Sequence, residues 1–378
     1  MQERDVRTDN SRHSRVPGCH MNSLYICVCV FYLFSNKDWV QKNKMVLTPP
    51  PLKHGDTIRV ISPSRSGSII SANTRMIATK RLSDLELIVT FSKHIDEKDE
   101  FNSSLVQHRV SDLHEAFADK SVKGILTMIG GHNCNQMLPH IDWDLVKANP
   151  KLFCGYSDIT ALQNSILAKT GLVTYAGPHF STFGMEKGFD FTLNHFRRIA
   201  FGEDEVIDLV TPQVWSDDLW FLNQHDRVFL KNEGHVVINS GYASGQIIGG
   251  NLCTFGLLRG TPFMPTSEGA IVFLEEDNAM QGLSASEFDR NLQALLCVPS
   301  FKPAGLVIGR FQKNTVTTKQ TIQIIRTKSE LNGIPIICNA DFGHTDPLIT
   351  YPIGGYATLD ATDSANVKLS ISISDKFK

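Results

Sequence analysis

From Thr57 onward the chain alternates short apolar runs with stretches whose apolar residues recur every three or four positions. Thr57–Ser62 (TIRVIS), Leu85–Phe91 (LELIVTF) and Val122–Ile129 (VKGILTMI) are runs of the first kind, and each predicts a buried strand. Ser71–Leu82 and Val106–Phe117 are of the second kind, with Val106, Val110, Leu113 and Phe117 on one helical face. Leu152, Phe153 and Cys154 form a further short run that meets Gly155. After Ser157-Asp158 a helical pattern resumes at Ile159, Leu162, Ile166 and Leu167. Strands this apolar, alternating with helices, predict a parallel sheet covered on both faces. Ligands in such sheets sit beyond the carboxyl ends of the strands, where Gly130-Gly131 and Gly155-Tyr156-Ser157 both fall.

The pattern breaks between Gly184 and Gly245, where Trp215, Asp217, Asp218, Trp220 and many charged residues predict a linker with excursions. A second region opens at Gly245 and repeats the alternation. Ala270–Leu274, Ala304–Ile308 and Ile334–Cys338 read as strands, Glu287–Leu296 and Thr318–Leu331 as helices, and Ala365–Ile373 as a half-exposed strand. The expected organisation is an extension over 1–45, an α/β domain over 46–184, a linker and substrate-side insert over 185–244, and a smaller α/β domain over 245–378.

Composition adds mostly exclusions. The 378 residues are 42% hydrophobic and 20% charged, with a formal net charge of −2. That balance gives no electrostatic reason to expect nucleic acid or an anionic membrane as partner. The eight cysteines include no C-x-x-C pair, so neither a metal site nor a disulfide framework is suggested, and a reducing, cytoplasmic setting is the simplest home. Leu24–Phe34 is an apolar run of eleven residues, shorter than the roughly 20 a membrane helix needs. No small-x-small cleavage site follows it, and Met45 opens a segment that looks like an ordinary protein start. Residues 1–45 are therefore expected to be a disordered or mis-assigned extension, with a membrane-associating anchor as the alternative.

Three strand ends carry candidate chemistry: Ser157, Glu275 and His344. A strand, a sharp turn and a helix around Ser157 would lift a hydroxyl clear of the backbone beside a helix N-terminus. The second glycine of the G-x-S-x-G elbow is missing, and a plain helix N-cap explains Ser157 equally. A serine nucleophile needs an adjacent base, which histidine supplies, and a carboxylate to hold the imidazole tautomer. Glu275 as a solvated acid and His344 as a loop histidine are the bland alternatives.

The segments Ile129-Gly-Gly131, Gly155–Leu162, Gly249-Gly-Asn-Leu252, Phe273-Leu-Glu275 and Phe342-Gly-His344 occur in the order seen in LD-carboxypeptidases. Arg109–Phe117 and Tyr175-Ala-Gly-Pro178 match as well, and the resemblance runs from about Leu52 to Asp360. Within that family the chain more closely resembles the microcin C self-immunity peptidases. The resemblance implies a Rossmann- or flavodoxin-like N-terminal domain carrying the serine and a swivelling-type, mixed-sheet C-terminal domain carrying acid and base. It implies a homodimeric, metal-free and cofactor-free serine peptidase with Ser157 as nucleophile, His344 as general base and Glu275 as its partner. The backbone N–H groups of Gly131 and Asp158 would form the oxyanion hole, in keeping with a close backbone approach at a glycine and a helix start.

Two substrate classes follow from the resemblance: the terminal D-amino acid of a murein tetrapeptide, or a peptidyl- or aminoacyl-nucleotide antibiotic. The insert around Val214–Asp218 resembles the immunity branch and makes Trp215 a candidate for stacking on a nucleobase, with packing of the insert as the alternative. Asn251 is a second substrate-binding candidate, or a residue that shapes the turn under the site. Asp277-Asn278-Ala279-Met280 departs from the immunity pattern, which places basic residues after the catalytic acid; a phosphate there would meet repulsion unless a base arrives from elsewhere. A non-catalytic binding protein on the same scaffold is the remaining reading.

Overall fold

A computed structural model describes residues 46–280 and 282–376. The expectations for residues 1–45 lie outside the described residues. Among those described, no helix is long and apolar enough to cross a membrane.

The first sheet begins with β1 (Thr57–Ile61), β2 (Ile88–Phe91), β3 (Val122–Thr127), β4 (Leu152–Gly155) and β5 (Thr174–Ala176). They pair in parallel in the order 2-1-3-4-5, which is the flavodoxin-like order. Helices α1 (Ala72–Asp84), α2 (Val106–Ala118), α3 (Trp143–Ala148) and α4 (Thr160–Thr170) make the crossovers. Local chemistry fixes their ends. The Ser71 hydroxyl caps α1 by accepting from the Thr74 N–H at 3.1 Å, and α4 stops at Gly171, whose φ of +78° favours glycine. The helix α4 presents no polar stripe: every residue from Thr160 to Leu167 is buried.

The middle of the chain is more regular than its pattern suggests. Asp190–Ala200 forms α5, which buries Phe196 and Ile199 on one face. The short strand β6 (Val206–Asp208) follows, then a two-stranded ribbon of β7 (Val214–Trp215) and β8 (Leu230–Lys231), then β9 (Val236–Asn239). The second sheet adds β10 (Tyr242–Asn251), β11 (Ile271–Glu275), β12 (Gly305–Gly309) and β13 (Ile336–Ala340), which run parallel to one another. Between these come α6 (Leu252–Gly256), α7 (Ser284–Leu296) and α8 (Thr318–Arg326).

Of the last three strands, β14 (Tyr351–Ile353) departs to pair antiparallel with β5, giving the first sheet its sixth strand. The others, β15 (Tyr356–Asp360) and β16 (Lys368–Ser372), extend the second sheet antiparallel from β10, with β6 at that edge and β9 at the other. The second sheet is mixed, as expected, but with eight strands it is the larger of the two.

The two sheets meet along α4 and the end of β10. The Asn164 side-chain amide donates to the Gly249 carbonyl at 2.8 Å, while its oxygen accepts from the Gly249 N–H at 3.0 Å. One step along, the Asn251 N–H donates to the Thr160 hydroxyl at 3.0 Å. The contact demands glycines: a Cβ on Gly250 would lie 2.5 Å from Thr160 Oγ1, and one on Gly249 2.2 Å from the Phe273 carbonyl oxygen. Tyr351 of β14 packs its ring on Phe273 and Phe342 at 4.7 and 5.2 Å, which closes the seam with aromatic contacts worth about 0.5–1.5 kcal/mol each.

Candidate active site

The strand β4 ends at Gly155, and the chain turns through Tyr156 into Ser157, whose φ is +60°. A non-glycine residue in that region costs about 1–3 kcal/mol and is held by its surroundings. A single 3₁₀ turn over Ser157–Ile159 then leads into α4. The floor of the bend has to be glycine. A Cβ on Gly130 would lie 2.9 Å from the Ser157 Cβ, and one on Gly155 would lie 2.2 Å from Thr127 Oγ1. The geometry is that of a nucleophile elbow despite the missing second glycine of the sequence motif.

Glu275 and His344 arrive from the second sheet. Glu275 is the last residue of β11 and is 3% exposed. The chain bearing His344 passes directly over it, which requires Gly343: a Cβ there would lie 2.7 Å from Glu275 Oε2. The His344 Nδ1–H donates to Glu275 Oε2 at 2.7 Å, and His344 Nε2 lies 3.1 Å from Ser157 Oγ. Both distances fall within the reach that proton transfer needs. The three side chains singled out from the sequence thus meet in one hydrogen-bonded row across the seam.

Burial, the largest single influence, pushes the His344 imidazole down, but the Glu275 carboxylate together with Asp277 and Glu276 outweighs it, and the net value moves up to about 9. Glu276 points to the other side of the strand, where its carboxylate accepts from the Cys253 N–H at 3.1 Å and the Asn251 amide at 3.3 Å. Burial, and then the neighbouring Glu275, push it up to about 7.

Gly131 follows the Gly130 that packs on Ser157, and Asp158 follows the serine in the chain. A Cβ on Gly131 would lie 2.2 Å from Ser64 Oγ, so the loop after β3 packs tightly on the loop after β1. Asp158 Oδ2 accepts from the Ser64 hydroxyl at 2.6 Å and from the Cys134 N–H at 2.9 Å, which ties the elbow to both loops. Among the described residues, neither the Gly131 nor the Asp158 backbone N–H donates a hydrogen bond.

The remaining two sequence candidates are engaged with the protein. Asn251 lines the cavity beside Ser157 and Glu275, but its side-chain oxygen accepts from the Thr254 N–H and its amide donates to Glu276. Trp215 lies in the ribbon with Arg310 5.1 Å and Lys313 5.9 Å from its ring centre, a cation–π arrangement. The next residue, Ser216, exchanges backbone hydrogen bonds with Asp346, so the ribbon is stitched to the loop that carries His344.

Sequence reasoning did not single out His179, Arg65 or Trp220. His179 is buried beneath the elbow, its Nδ1 2.7 Å from Thr127 Oγ1 and its ring 4.3 Å from that of Tyr156. Burial, with His344 nearby, pushes it down to about 3, so it stays neutral. The small cavity beside Ser157 and Glu275 has only about 10 Å³ of free space, enough for at most one water. A separate groove of about 370 Å³ is lined by Arg65, Ile129, Ser181, Trp220, Phe221 and Leu222. The Arg65 N–H donates to the Gly130 carbonyl at 3.2 Å, which sets the groove against the Gly-Gly loop. Only tertiary packing brings Arg65 and Trp220 together, so no motif could have paired them.

Residues 58–177 match the LD-carboxypeptidase N-terminal domain and residues 244–359 the LD-carboxypeptidase C-terminal domain. The Bacillus subtilis (strain 168) protein named "Putative carboxypeptidase YocD" is 48% identical over 312 residues, covering 82% of this chain and 95% of that protein. A crystal structure of an MccF-like protein from Bacillus anthracis superposes with a TM-score of 0.85 at 49% identity, covering 86% of this chain and 99% of that one. MccF in complex with glutamyl sulfamoyl guanosine superposes with a TM-score of 0.76 at 27% identity, covering 86% of this chain and 98% of that one. Both family domains are matched, and a relative of nearly the same length is almost half identical: the chain belongs to the LD-carboxypeptidase family and is a serine-type carboxypeptidase.

Proposed function

We propose that the protein hydrolyses the acyl–nitrogen bond that joins the carboxyl end of a peptidyl or aminoacyl group to its nucleotide portion, by a Ser157–His344–Glu275 triad. The observation that carries this reading is the row Glu275–His344–Ser157 at 2.7 and 3.1 Å. His344 Nε2 takes the Ser157 proton as Oγ attacks the carbonyl, and Glu275 stabilises the imidazolium that forms. The Gly131 and Asp158 N–H groups receive the developing oxyanion; one such donor is worth about 3–4 kcal/mol in related chemistry. The leaving group departs with the proton from His344, and water then releases the acyl group by the same steps in reverse roles.

The nucleotide half of the proposal rests on likeness to MccF, whose structure holds glutamyl sulfamoyl guanosine, and on the groove beside the Gly-Gly loop. In that groove Trp220 offers an aromatic face and Arg65 the cation that Glu275–Asp277 lacks. Trp215, with cations near its ring, remains the second stacking candidate. The same acidic stretch is the observation that favours the second reading, a murein tetrapeptide without a phosphate. The proposed setting is a cytoplasmic homodimer arranged as in the family, with 46–184 and 245–378 as its two domains.

Parallel hydrolysis assays with a tetrapeptide ending in D-alanine and an aminoacyl sulfamoyl adenosine separate the readings. Cleavage of the nucleotide is expected; cleavage of the tetrapeptide alone would transfer the protein to cell-wall recycling. Ligand binding without turnover of either, and no labelling of Ser157 by a fluorophosphonate, would leave a binding protein.

The base must be neutral to accept the Ser157 proton. Because His344 is raised toward 9, kcat/KM should climb with pH through 7 and 8 and level off above the ordinary histidine range. Glu276→Gln removes one of the charges that raise it, so the ascending limb should move to lower pH in that variant. A limb at the ordinary histidine value of about 6.5 in both proteins would mean that the acidic neighbours do not raise His344.

A further inference from the structure

Away from the seam, at the carboxyl end of β2, a second cluster of ligating side chains is built from the loop after that strand and the first turns of α2. It contains His94, Glu97 and His108, with one donor atom from each within 4.8 Å of the other two. The His94 and His108 rings lie face to face, 4.3 Å between centres and 15° apart. His108 Nδ1 is 2.6 Å from Glu97 Oε2. Behind His94, the buried Asp112 accepts from its ring Nδ1 at 2.7 Å with one oxygen and from its backbone N–H at 3.2 Å with the other.

We propose that His94, Glu97 and His108 bind a divalent transition-metal cation of the zinc class, with Asp112 as the carboxylate that orients His94. Three observations point this way. The donors are two imidazoles and a carboxylate, the set that borderline cations prefer. Asp112 engages His94 Nδ1 and so leaves Nε2 as its free nitrogen, the carboxylate–histidine arrangement found behind metal-bound imidazoles. Ligands bound at about 2.0–2.1 Å in a tetrahedron lie about 3.3 Å apart, so the cluster has to close by up to about 1.5 Å, with the His108 ring turning out of the stack so that both in-plane lone pairs converge. Glu97 and His108 are the exposed members, with 42% and 38% of their side chains accessible, and can make that adjustment.

On binding, neutral His108 takes the tautomer with its hydrogen on Nε2, so Nδ1 and the Glu97 oxygen both present lone pairs to the cation; protons compete for these same atoms, so affinity falls as pH falls. Water fills the remaining position. The bound ion would fasten the loop after β2 onto α2. That loop is already tied to the loop after β1 by Ser62 Oγ donating to the Ile95 carbonyl at 3.0 Å and Ser103 Oγ donating to the Ser64 carbonyl at 2.7 Å. The site is independent of the peptidase reading, since no triad residue takes part in it.

The test is calorimetric titration of Zn²⁺ into the chelator-treated full chain, together with thermal melts with and without the ion. Wild type is expected to bind and to melt at higher temperature with Zn²⁺. Glu97→Gln, at an exposed position that leaves the fold intact, should weaken binding at least about tenfold, and Asp112→Asn by about 10–100-fold. A H94A/H108A double variant should lose the melting shift. Zn²⁺ binding of equal strength in wild type, E97Q and the double variant would assign the ion to other residues and overturn the proposal, as would a wild type that binds no Zn²⁺.

Discussion

Ser157→Ala is expected to lower turnover by about 10⁴-fold or more, the size of the loss when a triad serine is removed elsewhere. That corresponds to at least about 5 kcal/mol of transition-state stabilisation. The substitution deletes only the hydroxyl that faces His344 Nε2 at 3.1 Å. Alanine tolerates a φ of +60° no better and no worse than serine, so the strain at the elbow is unchanged and the melting temperature should be too. Turnover and melting are therefore to be measured on the same sample. Activity that survived in a folded S157A protein would remove Ser157 from the mechanism and, with it, the triad.

Glu275→Gln is expected to cost about 10⁴-fold, as when the orienting carboxylate of a triad becomes an amide. Gln keeps the volume between β11 and Gly343, where there is no room for anything larger. Its amide can donate to His344 Nδ1, which moves the ring hydrogen to Nε2 and leaves no acceptor for the Ser157 proton. The same change removes the charge that raises His344 most, so its pKa should fall even as the maximum rate collapses. A rate-versus-pH series on E275Q reads both effects. A rate within tenfold of wild type would mean that His344 is held by something other than Glu275.

The strands β1, β3 and β4 were legible as apolar runs between periodic helices, whereas β5 and α3 were not read from the pattern and β2, expected to be buried, is an exposed edge strand. The second half was harder to read. The run through Tyr242–Asn251 carries Gly245, Gly249 and Gly250, which signal a turn, yet it is a full strand because the glycines admit α4 and the Phe273 backbone at close range. The crossing of Tyr351–Ile353 to the first sheet is a three-residue strand paired far away in sequence, and no periodicity encodes such a step. The helix Asp190–Ala200 was missed among the charged residues that surround it. Ser157, Glu275 and His344 were each identifiable from their place at strand ends and from family motifs. Their approach to within hydrogen-bonding distance depends on the seam, which the linear pattern does not describe. Arg65, Trp220 and His179 carry no motif, and only folding gives them neighbours.

The bonds from Asn164 to Gly249 and from Thr160 to Asn251 have a bearing on durability. They align the two sheets within about two turns of helix of the serine, so they act as the datum from which the 3.1 Å gap is set. A slip of about 0.5 Å there would open that gap beyond hydrogen-bonding range while both sheets stayed intact. A single crosslink across the joint is therefore expected to lengthen the half-life of activity on heating.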